Sequence, residues 1–203
     1  MTAYSKGAKI REAIAMDRVA EKANEIINHH VGFSLIAGAI PVPIADIMAV
    51  SVIQVDMVQK IAQAYDITYN KSYVKSLITS LTGRTFLTSV AGKSFLTSLS
   101  ARSLAGIGAS LLKTIPGVGT MFGVGSQAII SGASTYAVGK LFAYHFANNG
   151  TISNFDKVSL QEKYNDFYTE GKDYVSKIKA NTELDDPLAA LEKFNEMKRS
   201  YIF

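Results

Sequence analysis

The side chains that could do chemistry in this 203-residue chain are few, and most fall short of a complete constellation. Gly92-Lys93-Ser94 has the tail of a phosphate-binding loop, Gly-x-x-x-x-Gly-Lys-Ser/Thr, in which backbone amides wrap the phosphates. The leading glycine position is Leu87, and no strand precedes it, so nucleotide binding is not supported there. Gly117-Val118-Gly119 stops short of a dinucleotide fingerprint, because the next glycine is Gly123, one residue late. There is no cysteine, which excludes disulfides, thiolate metal sites and cysteine nucleophiles together. His29 and His30 are neighbours, about 100° apart on a helix, so they cannot form the i, i+4 pair that holds a metal. His145 stands alone. These patterns point to no catalytic residue, no metal and no cofactor.

Two polar residues in an apolar stretch carry more interest. Asp46 follows Pro43 in the first turn of an expected helix, where free amides and the positive helix end stabilise a carboxylate by about 0.3–1 kcal/mol. Alternatively it pairs with a cation from elsewhere, Lys113 being a candidate, as a buried carboxylate would require. Gln54 is either a buried hydrogen-bonding residue or a surface one.

The elements that would position these groups are helical. Residues 8–31 read as an amphipathic helix with Met16, Ala20, Ala23 and Ile27 on one face, closed by Gly32. Ile40-Pro41-Val42-Pro43 forces an extended entry and favours a new helix starting near Pro43 and running to about Tyr65. Residues 72–112 contain a nine-residue repeat: Gly83–Val90 is echoed by Gly92–Leu99, and Ala101-Arg102-Ser103-Leu104 begins a third copy. The 26 residues from Thr114 to Gly139 carry no charge. They are long enough to span a bilayer, yet rich in Gly, Ser and Thr, which suits close helix packing better than lipid contact. Gly119 and Gly123, continued by Ala128 and Gly132, form a small-xxx-small pattern. Beyond residue 151 the pattern is that of ordinary amphipathic helix. A capping box is expected at Ser159–Glu162, followed by Leu160, Tyr164, Phe167, Tyr174 and Ile178 at helical spacing. A last helix starts at Asp186-Pro187 with Leu188, Leu191 and Phe194 as its core face. No useful run alternates with period two, so the fold class is all-α.

Charge is distributed unevenly. Hydrophobic residues make up 48% and charged residues 19%, and the mean hydropathy is +0.13, which leans towards membrane contact. The net charge of +4 combines +1 over residues 1–31, +5 over 32–147 and −2 over 148–203. No acidic residue occurs in the 89 residues between Asp66 and Asp156, which contain Lys71, Lys75, Arg84, Lys93, Arg102, Lys113 and Lys140. An anionic lipid surface or an acidic partner would suit this segment. Nucleic acid suits it less: the cations at 75, 84, 93 and 102 recur every two and a half helical turns and so point to opposite sides.

Two blocks together resemble the bacterial YcjF-like family, domain of unknown function 697. The first is Ala39-Ile40-Pro41-Val42-Pro43-Ile44-Ala45-Asp46, followed by Gln54, Met57, Ile61 and Tyr65. The second is Lys113-Thr114-Ile115-Pro116-Gly117-Val118-Gly119, followed by Gly123, Thr135-Tyr136-Ala137, Gly139-Lys140 and Tyr144. The resemblance covers about residues 20–147. One departure is Asp66, where the family more often has glycine after the tyrosine. The resemblance implies a helical module, often membrane-associated and frequently following a P-loop GTPase in one chain. This chain would then be the isolated accessory module, with any nucleotide switch in a partner. The family has no established catalytic residues to carry over.

The combined expectation is a single domain over 1–203: an apolar, glycine-rich central hairpin (about 33–65 and 104–147) within a core of 33–147, wrapped by amphipathic helices at 8–31 and 151–203. Its function would be non-enzymatic, in membrane association or GTPase partnering, in the cytoplasm at the inner membrane. A protein that inserts its hairpin to form a pore, and a soluble homo-oligomer that buries its glycine face between subunits, are the alternatives.

Overall fold

The computed structural model describes residues 3–39, 45–88, 124–180 and 187–202. These residues form six helices and no strand: α1 (Ala3–Ala37), α2 (Ala45–Ala64), α3 (Lys71–Thr88), α4 (Val124–Ala147), α5 (Gln161–Ala180) and α6 (Pro187–Ile202). The fold class is all-α, as the sequence predicts. Pro41, Pro43, Lys113, Pro116, Gly117, Gly119 and Gly123 lie outside the described residues, as do the second and third copies of the repeat. Asp46 is the second residue of α2, and its side chain lies outside them as well.

The first helix is longer than its sequence pattern suggests. Gly32 does not end it; α1 runs on to Ala37, ahead of Pro41. A helical glycine costs about 1 kcal/mol relative to alanine. The turn after Gly32 offsets this by burying Phe33, Leu35 and Ile36. At about 1.5 Å per residue the helix is roughly 50 Å long, longer than its partners. Among the described side chains, those buried lie in its second half. Ala23 and Ile27 are buried, but Ala20 is exposed and Met16, expected on the same face, is 50% exposed, as are Ile10 and Ile14 to a similar degree.

The centre of the bundle is α4, which packs on α1, α2 and α5. Ala128, Ala133, Tyr136, Ala137, Val138, Leu141, Phe142 and Phe146 are all buried on it. A helix apolar on nearly every side belongs in a core, which accounts for the described part of the uncharged stretch, from Val124 to Gly139, without a bilayer. Among the described residues no helix is long and apolar enough to cross a membrane.

Helix ends obey local chemistry. Asn70 Oδ1 accepts the Tyr73 amide (3.0 Å) and so caps α3. At the end of α2, Ile67 donates to the Ala62 carbonyl (2.8 Å) and Asp66 to the Gln63 carbonyl (3.2 Å), with Asp66 at φ 55°. That is a Schellman turn, whose left-handed residue is usually glycine. α4 ends in the same way at Asn149, φ 61°. The expected capping box at Ser159 is not formed: α5 starts at Gln161, and the Ser159 hydroxyl donates to the Asp156 carbonyl (3.2 Å). In α6 the expected core residue Leu191 is 42% exposed. The helix instead contributes Met197 to the core, with its methyl end beside Gly32 of α1. Leu188 and Phe194 have side chains outside the described residues.

Candidate functional site

One polar residue each from α1, α2 and α5 and two from α4 meet in one chain of hydrogen bonds. Gln54, 2% exposed on α2, donates through Nε2 to Ser134 Oγ (3.1 Å) and Thr135 Oγ1 (3.3 Å) on α4. Thr135 donates onward to Ser34 Oγ on α1 (2.7 Å), and Ser134 shares a bond with the Tyr164 hydroxyl on α5 (3.3 Å). Four helices are thus tied at one level by groups that satisfy each other inside an apolar bundle. Such groups are costly to bury unpaired, so the pairing selects one register among the helices. Of the two readings open for Gln54, the buried hydrogen-bonding one holds.

One turn further along α2, Met57 meets Gly139 of α4. A Cβ on Gly139 would lie 2.7 Å from Ile27 Cγ1 and 3.0 Å from Met57 Sδ. Only glycine lets α4 approach α1 and α2 this closely. Gly132 plays the same part against α5, where a Cβ would lie 2.9 Å from Val175 Cγ1. The small-residue stripe read from sequence therefore faces helices of this chain, at least at its described end.

At the rim of the same α1–α4–α5 seam, the Tyr136 hydroxyl donates to Glu170 Oε1 (2.5 Å) and the Tyr174 hydroxyl to Asn28 Oδ1 (3.0 Å). Lys140 donates to Asn24 Oδ1 (3.0 Å) and lies over the Tyr136 ring, 5.5 Å from its centre. Burial, the hydrogen bond to Glu170 and the charges of Glu170 and Tyr174 push the Tyr136 phenol well above its ordinary range. The structure thus places Gln54, Met57 and Gly139 where α2 meets α4, Tyr136 where α4 meets α5, and Lys140 where α4 meets α1.

A second cluster joins α1 to α2. His30, 1% exposed, has Nδ1 2.6 Å from the Ile26 carbonyl oxygen and Nε2 2.9 Å from Asp56 Oδ2. Lys60 reaches the same carboxylate oxygen at 2.9 Å. Burial raises the Asp56 carboxyl, but the hydrogen bonds and charges of His30 and Lys60 outweigh it and hold the group below the usual carboxylate range. Burial, with the charges of His30 and Lys60, pulls the His29 imidazole below its ordinary value. The Tyr69 hydroxyl donates to the Val55 carbonyl (3.1 Å) beside this group. Among the described residues no three histidine, aspartate or glutamate side chains are placed to hold a metal.

Sequence reasoning singles out Asp46, weighs His30 only to set it aside as a metal ligand, and gives Asp56 no role. The signal was present: extending Ala23 and Ile27 by helical steps gives His30 and then Ser34, both buried. Nothing in α1 alone could show that an acid 26 residues away would face the ring.

A family model described as a domain of unknown function (DUF697) matches residues 5–173, a wider span than the two blocks suggest. Magnetosome membrane protein 22 of Magnetospirillum gryphiswaldense is 34% identical over 188 residues, which cover 88% of this chain and 85% of that protein. No solved structure matches the chain. Asp66 occupies a left-handed turn of the kind that glycine fills most easily. The residues of both blocks fall inside the matched span, and the chain belongs to the DUF697 family.

Proposed function

We propose that this protein is a non-enzymatic helical module that associates with a membrane, on the cytoplasmic face of the inner membrane, with its basic middle segment turned to anionic lipid. The observation that carries this reading is the similarity, over 88% of the chain, to a magnetosome membrane protein. The acid-free run from Asp66 to Asp156 supports it, since seven unbalanced cations favour a negatively charged surface. The bundle centre supports the non-enzymatic part: its hydrogen-bonding groups are used in joining helices, at Gln54, Ser134, Thr135 and Ser34. A separate P-loop GTPase as partner is the finer part of the proposal, and rests on family membership.

The test is co-sedimentation of the purified protein with vesicles. Binding to vesicles rich in anionic lipid at low salt, weakened by salt and absent from neutral vesicles, is the expected result. A protein that stays wholly in the high-speed supernatant with anionic vesicles at low salt refutes membrane association. Dye release from the vesicles would replace this reading with the pore-forming one. A mass that rises with concentration in buffer without lipid would replace it with the homo-oligomeric one. For the finer part, co-purification with a GTPase that depends on bound nucleotide is expected.

A further inference from the structure

From Lys9 to Arg18 every residue of α1 is exposed, so nearly three helical turns lack cover from the other described helices. A stretch of helix without packing is marginal in water, even where a buried half beside it supplies the nucleus. Two of the exposed side chains are isoleucines, Ile10 at 52% and Ile14 at 47%, and their spacing of four puts them on one face. Arg11, three positions before Ile14, and Arg18, four after it, flank that face. Glu12 is two positions from either isoleucine and so belongs to the opposite side. Residues 3–11 hold Lys6, Lys9 and Arg11 and no acid. Beyond Ile14 the same face turns acidic, with Asp17 and then Glu21, so its apolar and basic character is confined to the first part of the helix.

We propose that this first part of α1 lies on an anionic lipid surface, with Ile10 and Ile14 sunk at the headgroup boundary and Arg11 and Arg18 against lipid phosphates. The inference rests on the membrane association proposed above and adds to the basic middle segment a second contact, one that joins charge to apolar insertion. Charge selects this occupant: cations flanking an apolar face are drawn to anionic headgroups as the isoleucines leave water. A second copy of the chain fits less well, because two half-exposed isoleucines offer far less than the roughly 800 Å² per partner of a stable interface. Met16 is as exposed, at 50%, but continues the line of Ala20, Ala23 and Ile27, away from the isoleucine face. It therefore serves as an internal control.

The chain has no cysteine, so Ile14→Cys and Met16→Cys can each carry one environment-sensitive fluorophore on the full chain. With vesicles rich in phosphatidylglycerol at low salt, emission from position 14 is expected to shift to the blue and emission from position 16 to stay unchanged. In co-sedimentation with the same vesicles, Ile10→Glu combined with Ile14→Glu is expected to weaken binding by about tenfold or more, and Met16→Glu by less than about twofold. Binding of the double variant equal to wild type overturns this inference and leaves membrane association standing. So do equal emission shifts at the two positions, or none at either, in a protein that sediments with the vesicles. A blue shift at position 14 that grows with protein concentration in the absence of lipid gives the face to a second copy and also overturns it. A wild type that does not sediment with anionic vesicles overturns membrane association and this inference with it. The labelled pair decides if the double glutamate variant does not fold.

Discussion

At the scale of single residues, buried polar groups set the terms. Gln54 gives both of its described bonds to α4 hydroxyls, and a leucine of similar size would keep the packing while removing the donor. Ser134 retains Tyr164, and Thr135 retains Ser34, so the hydroxyls are not stranded. Gln54→Leu should therefore cost about 1–3 kcal/mol rather than unfold the protein, read from the midpoint of urea denaturation. The lowered His29 value has a definite sign. A group depressed on folding stabilises the protein above its unfolded value, about 6.5, and that contribution drains away as pH falls through the lower folded value. His29→Gln should accordingly lose less stability than the wild type between about pH 7 and pH 5, measured by urea denaturation at each pH. Asp56 has the same sign in a lower window: its contribution is complete above about pH 4 and is lost below it, so Asp56→Asn should flatten the acid limb there.

At the scale of helices, close approach and helix ends carry the argument. Gly139→Val puts branched carbon into a gap where even a Cβ would lie 2.7 Å from Ile27, and the loss should be about 1–3 kcal/mol despite the better helix propensity of valine. Met57 can yield because its end is flexible; Ile27, anchored on a neighbouring helix, cannot move as far. At the α2 terminus, Asp66→Gly should leave stability unchanged or improved. Asp66→Val should cost about 1–2 kcal/mol, since a β-branched side chain does not tolerate the left-handed backbone found there. Thermal midpoints of the pair of variants check this. Two glycine and serine positions show why helix boundaries are hard to place from sequence. Gly32 looks like a stop and is not one, because the next turn, with Phe33, Leu35 and Ile36, is apolar enough to be worth burying. Ser159 looks like a cap and is not one, because Asp156 already organises the turn: its carboxylate accepts the Val158 amide at 2.9 Å.

For the whole molecule, the division between covered and uncovered surface matters most. The first half of α1 presents Ile10, Ile14 and Met16 outside the bundle, whereas Ile27 is fully buried in it. Substituting the first three with glutamate should change stability by no more than about 0.5 kcal/mol, while Ile27→Ala should cost about 2–5 kcal/mol, both by urea denaturation. Much of this architecture is legible in the chain alone. The all-α class, the start of α2 soon after the prolines, the apolar character of α4 and the face of α5 all come from periodicity and from residues with restricted backbones. Those properties are local: each depends on neighbours within a turn or two, so the sequence by itself determines them. The charge asymmetry is likewise a property of the chain order alone. Tertiary structure decided the remainder. It turned the uncharged stretch around Gly132 and Gly139 inward, towards Val175, Ile27 and Met57, instead of towards lipid. It left Met16 in solvent and buried His30, although both lie on continuations of one helical pattern. It also brought Asp56 to His30 across 26 residues, and Ser34 to Thr135 across 101. Whether a polar side chain becomes a tie or a surface group depends on the residues that pack opposite it. That partner comes from another helix, and no spacing within one helix can specify it.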